Sequence, residues 1–563
     1  MKVVQVFFIK FILFLILLSS VISLQYFNGQ RLKFLSKNNY IHLRLVSNER
    51  GVITDENDVI LAENKPTYKA FITAYDKKEF NEILERLNKI IPIKDFPVYR
   101  RRSYILVYPS LSWKQVALLE SNNLLGVKIE ASYKRVYKFP EIFSSVLGYV
   151  SIANEKDELN NISDLYLGRG LGVEAYYDED LMGVPYQMEE EVDAKGRFIR
   201  NLDKHLGQKG KNIKTTLDIK LQTHLLKCLR EKDVKSAGVV VMDIHTGAIK
   251  ALISYPTFNP NVFAHSISSK DWNALQKNPF NPLYNKVVQG LYSPGSIFKL
   301  TILLTALEKG IRLDDVVCRG HTNIKGQKYH CWTWRSGGHG PISMERAFAE
   351  SCDIYFYELA QKISLYEFNK TAEKLGFGNI THLDMLYEKK GRLLSFFECF
   401  REDPCNYVIG QGKLLSTPLQ LATTTAALVN GGYRITPHIN QEAIFQKEHL
   451  NFDEKHLKKL CHLMSDVTTK GTARDCAFYT KDGLGMAGKT STVQVCKIHS
   501  HERKRGDIDR DYHLKDHKIF VGYGPVKDPK YVVVVIAEHA GKSRVAVELS
   551  KDALEFLLVG PSS

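Results

Sequence analysis

"AGVVVMDIHTGAIKALISYP", residues 237 to 256, is two apolar runs joined by a short polar turn with one glycine. The pattern reads as a β-hairpin, and its unbroken β-branched runs place both strands inside a sheet rather than on its wet face. Near the other end of the chain, "HKIFVGYGP" (517–525) and "KYVVVVIAEHA" (530–540) repeat the same kind of run. "KDALEFLLV" (551–559) follows them as an apolar helix. Strands at both ends with helical material between predict an α+β domain whose antiparallel sheet is assembled from distant pieces and flanked by helices.

Outward from that domain, the chain has 563 residues, 44% hydrophobic and 25% charged, which is too long for one core and too apolar for disorder. The net charge of +15 suits an anionic partner. No basic stripe interleaved with aromatics is present, so no nucleic-acid partner is expected and a membrane or polymer surface is preferred. "MKVVQVFFIKFILFLILLSSVISL" (1–24) is apolar from Val3 to Leu24 apart from Gln5 and Lys10. That is about the ~20 residues that span a bilayer as a helix. An uncleaved single-pass anchor is expected, because no A-x-A pattern follows the run, with a cleaved signal peptide as the alternative. Lys2 and Lys10 favour an inside N-terminus, whereas Arg31, Lys33 and Lys37 lie on the other flank. The remainder of the chain is expected outside the inner (cytoplasmic) membrane.

Residues 48 to about 220 alternate short β-rich runs ("RGVITDENDVILAE", "YKAFIT", "YILVYP") with charged helices such as "EFNEILERLNKI". "LGRGLGVEAYYDEDLMG" fails the G-x-G-x-x-G spacing and reads as a turn. With no dense cluster of His, Cys and carboxylates, this half is expected to be scaffold. The expected division is 1–30 for a cytoplasmic tip and anchor, 31–225 for a β-rich, elongated pedestal, and 226–563 for the catalytic domain.

The chemistry is concentrated in three short elements. "YSPGSIFKLTILLTALEKG" (292–310) opens on a Pro-Gly turn and continues as a helix, so Ser296 and Lys299, three apart, share a face at its positive end. A serine alcohol needs a base, and a lysine can be that base if desolvation and a second cation depress its pKa. Downstream stand "AESCDIYFYELA", with Ser351 and Asp353, and "GMAGKTSTVQV", with Lys489, Thr490 and Ser491. S-x-x-K, an S-x-N type element and K-T-G in that order belong to penicillin-binding enzymes.

These elements, with "PLYNKVVQGLYSPGSIFKL", "GGHG", "IGQGKLLSTPLQLATTTAALVNGG" and "HKIFVGYGP", resemble the transpeptidase domain of class B penicillin-binding proteins. "RGVITDENDVILA" and "GVEAYYDEDLMG" resemble the pedestal of that class. "GGHG", "SCDIYFY" and "AEHA" are most similar to its elongation-specific type, penicillin-binding protein 2. The resemblance implies a serine acyltransferase that cross-links peptidoglycan stem peptides and is acylated by β-lactams. It also implies a SEDS-type glycan polymerase as membrane partner. On this sequence Ser296 is then the nucleophile, Lys299 its base and Ser351 a proton relay. Lys489 supplies the field that keeps Lys299 neutral, and Lys489 and Thr490 bind the substrate carboxylate. The backbone N–H groups of Ser296 and Thr492 form the oxyanion hole. No cofactor is required for this chemistry. Two departures stand out. Asp353 replaces the amide of S-x-N, adding a carboxylate beside the lysines. Ser491 replaces the glycine of K-T-G, where a Cβ and hydroxyl either crowd the cleft or add a donor.

A D,D-carboxypeptidase or β-lactamase, with water as acceptor, needs the same residues but no pedestal. A penicillin sensor or inactive scaffold is the rival from another class, and Ser491 is its main support. A bifunctional class A enzyme is disfavoured, since no glycosyltransferase-like segment precedes the pedestal.

Nine cysteines complete the reading. An odd number in an exported domain leaves at least one unpaired. Cys399 and Cys405, in "CFREDPC", are candidates for a small disulfide loop. Cys318, Cys331, His339 and Cys352 supply the Cys₃His set that suits a structural zinc, with a disulfide or inert buried thiols as the alternatives and His321 and His330 as rival ligands. Cys352 sits between Ser351 and Asp353, so if those two face the cleft, Cys352 faces inward. Elongation-type enzymes resemble this arrangement, with metal ligands flanking G-H-G.

Overall fold

The computed structural model describes residues 2–74, 76–93, 105–153, 165–193, 198–264, 267–313, 316–495 and 511–560. Most of the charged insertion between 496 and 517 lies outside them, as does Cys496. The N-terminal helix Lys2–Ile22 is exposed along its length, and the apolar stretch Val4–Tyr26, 23 residues, is long enough to cross a membrane. A π turn at Ser23–Phe27 leads directly into a second helix, Gly29–Tyr40.

The first half is β-rich, as its composition predicts. The long strand Ile60–Ile72 pairs antiparallel with Val127–Tyr137 on one side and Ile105–Leu111 on the other. Helix Lys77–Ile90 covers this sheet with Phe80, Ile83, Leu84 and Leu87, the i, i+3, i+4, i+7 stripe of "EFNEILERLNKI". Asp76 caps it by accepting from the amides of Lys78 and Glu79.

At the root of this half, four charges that the sequence scatters over more than a hundred residues meet in the interior. Arg50 pairs with Glu174 and Asp178, and Arg135 pairs with the other oxygen of Glu174, all at 2.7 Å. The "LGRGLGVEAYYDEDLMG" segment is indeed a turn between the strand Tyr166–Arg169 and a short helix, Val173–Tyr176, but it also delivers Glu174 to this network.

The second half contains a five-stranded antiparallel sheet in the spatial order Ile249–Tyr255, Ala237–Asp243, Tyr531–Ala537, His517–Gly524, Ala487–Val493. The hairpin 237–256 therefore pairs with the chain's last strand, as the distant apolar runs require. The C-terminal helix Val545–Val559 and the helix Ile219–Glu231 pack together against the sheet, and Pro418–Val429 with Glu454–Thr469 form a second pair. Helix Ile219–Glu231 runs across residue 225, and its Leu221, Leu225 and Leu229 belong to the main core, so this core takes up residues earlier than 226. Strand Ala487–Val493 closes the sheet, and among the described residues its outer edge has no strand partner; it lies beside the Pro294–Ile297 turn.

Candidate active site

The Pro-Gly turn shapes the nucleophile's approach. Gly295 has φ +55°, in the left-handed region, and Ser296 sits in a single 3₁₀ turn, Gly295–Ile297. The α-helix itself begins at Lys299 and is buried through Leu307. First-turn amides such as that of Ser296 have no intrahelical acceptor, which leaves them available to an oxyanion.

Ser351 is the hub. Its Oγ lies 2.9 Å from Ser296 Oγ, 3.0 Å from Lys489 Nζ and 3.3 Å from Lys299 Nζ. A hydroxyl both donates and accepts, so a proton can cross Ser351 in either direction. Ser351 holds φ +57°, an unfavourable conformation for a residue with a Cβ, costing on the order of 1 kcal/mol or more. The strain is held by neighbours: Lys299 Nζ donates to the Ser351 carbonyl at 3.0 Å, and the Cys352 amide to Ala347 O at 2.8 Å.

Both lysine side chains are buried, but their partners differ. Lys299 Nζ also donates to Asp353 Oδ1 at 2.7 Å. Among the described residues, Lys489 Nζ donates to Ser351 Oγ and the Thr490 carbonyl and has no carboxylate in reach. Burial, reinforced by the Lys299 charge and opposed by Asp353, holds Lys489 well below the usual lysine range. In the resting site the lysine pushed toward neutrality is Lys489, whereas Lys299 is paired with Asp353. No hydrogen bond links Lys299 directly to Ser296; their connection runs through Ser351.

The strand Ala487–Val493 alternates as a strand must. Lys489 and Ser491 are buried, whereas Thr490 is half-buried and Thr492 exposed. Thr490 Oγ1 shares a 2.6 Å hydrogen bond with Thr472 Oγ1, and Lys518 Nζ donates to Thr492 Oγ1 at 2.8 Å. Thr472 and Lys518 carry no local motif, and only the three-dimensional pairing reveals them. Ser491 does not crowd the cleft: its hydroxyl is turned inward and donates to the Pro294 carbonyl at 2.9 Å.

Directly behind Ser351 lies the Cys₃His set. Cys318, Cys331, His339 and Cys352 place one ligand atom each within 4.8 Å of all the others. His339 Nδ1 is 3.4 Å from Cys318 Sγ and 3.6 Å from Cys331 Sγ. On its far side, Nε2 faces Glu350 Oε2 at 3.8 Å. Burial works against a charged imidazole, yet hydrogen bonds to Cys331 and Cys318 raise His339 to about 9. His321 and His330 pair with each other across the hairpin 321–330 and lie outside the group. Cys399 and Cys405 are separate buried thiols, not a disulfide, and all eight described cysteines are free.

The fold, the three-element cleft and the pedestal define a class. Residues 237–555 match the penicillin binding protein transpeptidase domain, and residues 46–215 the penicillin-binding protein dimerisation domain. The chain belongs to the penicillin-binding proteins; the union of these two domains is that of class B, and its relatives and structural neighbours are of the penicillin-binding protein 2 type. Among curated relatives it is 30% identical to the peptidoglycan D,D-transpeptidase MrdA of Acinetobacter baumannii, with 97% of this chain and 85% of the relative aligned. Among solved structures it is similar to penicillin-binding protein PBP2 of Helicobacter pylori in complex with MreC: TM-score 0.79, 26% identity, covering 92% of this chain and 99% of that one. The fold alone is shared, at TM-score 0.71 and 24% identity over 100% of this chain and 99% of the other, with a peptidoglycan synthase complex that coordinates polymerization and crosslinking.

Proposed function

We propose that this protein is a peptidoglycan D,D-transpeptidase of cell elongation that acts through an acyl-serine intermediate and is acylated by β-lactams. The observation that carries the reading is the hydroxyl hub, with Ser296, Lys299 and Lys489 converging on Ser351 Oγ within 3.3 Å. A stem peptide lies as an added strand along the edge of Ala487–Val493 that no described strand pairs with, with Thr490 and Thr492 facing it.

Ser296 Oγ attacks the carbonyl carbon of the penultimate D-Ala. Its proton crosses Ser351 to the Lys489 amine while the ion-paired Lys299 fixes positive charge beside the path. The Ser296 and Thr492 amides stabilise the oxyanion. When the C–N bond to the terminal D-Ala breaks, the proton returns through Ser351 to the leaving amine. An amine of a second stem then attacks the acyl carbon, gives its proton to the same path and releases Ser296.

The Cys₃His set fits a zinc ion by donor type, number and burial. Cys318, Cys331 and Cys352 would hold it through sulfur and His339 through Nδ1, with Glu350 as the outer partner of the imidazole. Bound there, zinc supplies a cross-link and no reaction chemistry. The ligand residues keep the strained Ser351 in place, because Cys352 follows it directly.

The apolar helix is read as a single-pass inner-membrane anchor with the bulk of the chain outside the cytoplasm. The SEDS-type polymerase is the expected membrane partner, supported by the fold shared with the synthase complex. The Helicobacter pylori complex adds an MreC-like protein as a second candidate partner.

The test is full-length protein in detergent with a fluorescent penicillin and, separately, a D-Ala-D-Ala donor with a D-amino acid acceptor. Labelling that is lost in Ser296→Ala, together with exchange of the acceptor into the donor, is expected. Hydrolysis without exchange would make it a carboxypeptidase, and labelling that survives Ser296→Ala would reject the nucleophile.

A further inference from the structure

The glycine that Ser491 replaces has no side chain, and the atoms that replace it here have a specific place to go. Ser491 is 5% exposed and its Oγ donates to the Pro294 carbonyl at 2.9 Å. That carbonyl belongs to the residue two before Ser296. Its other partner is the Ile297 amide at the long distance of 3.4 Å, so Ser491 supplies its main hydrogen bond.

Gly295 and Ser491 also interlock sterically. An ideal Cβ on Gly295 would collide with Ser491 Oγ, whereas its next neighbours, Thr492 O and Val493 Cγ2, would stand off at 3.5 Å. The hydroxyl therefore occupies the hollow that the missing Cβ leaves. On the opposite side the Gly295 amide donates to Gly410 O at 2.9 Å. The nucleophile turn is thus gripped between the Gly410 loop and the edge strand.

This grip spans the cleft. The carbonyl belongs to the turn that carries Ser296, and the hydroxyl to the strand whose Lys489 bonds Ser351. One hydrogen bond thereby joins the two walls whose polar groups must meet at Ser351. We propose that Ser491 is a positioning residue for acylation: its hydroxyl fastens the Pro294–Ser296 turn to the strand Ala487–Val493, and it touches no substrate. The inference rests on the acyl-serine reading above.

The experiment uses full-length protein and a fluorescent penicillin over a concentration series, which separates the first-order acylation constant from the half-saturating concentration. Ser491→Ala and Ser491→Gly should lower the first-order constant about tenfold and leave half-saturation unchanged. Ser491→Thr, which keeps the hydroxyl, should restore most of the rate. Gly295→Ala should damage acylation less in the Ser491→Gly background than in the wild type, because the collision is gone. Unchanged first-order constants in Ser491→Ala and Ser491→Gly would overturn the proposal. So would a change confined to half-saturation, which would make Ser491 a ligand contact. If the Ala and Gly variants melt far below the wild type, the Thr variant still decides: a folded Ser491→Thr that acylates at about a tenth of the wild-type rate or less would overturn the proposal. An unlabelled wild-type Ser296 would sink the acyl-serine reading itself, whereas labelled Ser296 with rates indifferent to residue 491 would sink only this inference.

Discussion

Two of the buried charge networks among the described residues, at the pedestal root and in the cleft, differ in balance. At the pedestal root, Arg50 and Arg135 meet Glu174 and Asp178, two cations for two anions, and the backbone carbonyls of Glu174 and Gly51 take further guanidinium bonds. Burial would raise Glu174, but Arg135 and Arg50 overcome it and hold its carboxyl below the ordinary range. In the cleft, the two cations Lys299 and Lys489 share the Ser351 hydroxyl, but the one carboxylate beside them, Asp353, pairs with Lys299 alone. There the surplus cation is driven toward neutrality. A balanced buried network fixes structure, and an unbalanced one stores a base.

Breaking each network should therefore be felt in a different measurement. The largest effect belongs to the cleft: Ser351→Ala removes the shared hydroxyl and should slow acylation about a thousandfold, with the thermal melt nearly unmoved. The root behaves in the opposite way. Glu174→Gln leaves two buried guanidinium groups short of a counter-ion and should cost about 3–5 kcal/mol in denaturant titrations, while folded protein acylates at the wild-type rate. The sign of its pH dependence follows from a carboxyl whose pKa is lower folded than unfolded. Its stabilisation is full above the unfolded value of about 4.3 and fades as pH falls toward the folded value, so wild type should lose stability in acid more steeply than the variant.

A third intervention sharpens the comparison by acting behind the cleft network, at the residue next to Ser351. Cys352→Ser should abolish bound zinc, measured by metal analysis, and reduce acylation about tenfold through a loosened Ser351. Unchanged metal content in that variant would return the four residues to ordinary buried polar groups.

The contrast also explains what the sequence could disclose. Ser296, Lys299, Ser351 and Lys489 were legible because the reaction constrains them locally: a turn before a helix, a polar pair before another, a lysine on a strand. The apolar runs at 237–256 and 517–540 likewise announced a common sheet. Glu174 was not legible, because its partners stand 124 and 39 residues away and nothing near it marks burial. The different partners of the two lysines were hidden for a related reason. Motif spacing says that two cations share a site, whereas only the position of Asp353 says which one it neutralises. Ser491 shows the limit most plainly, since strand alternation gives its side but not the hollow at Gly295 that receives it.

The claim that the surplus lysine is the stored base is tested most directly by the pH dependence of Ser296 acylation in the full-length protein. Wild type should acylate faster as pH rises through the depressed pKa of Lys489, reaching its plateau well below the ordinary lysine value of about 10.4. Lys489→Arg, which cannot lose its proton, should be slow and should lack that rise. The same rising limb in Lys489→Arg would contradict the account and return the base to another group.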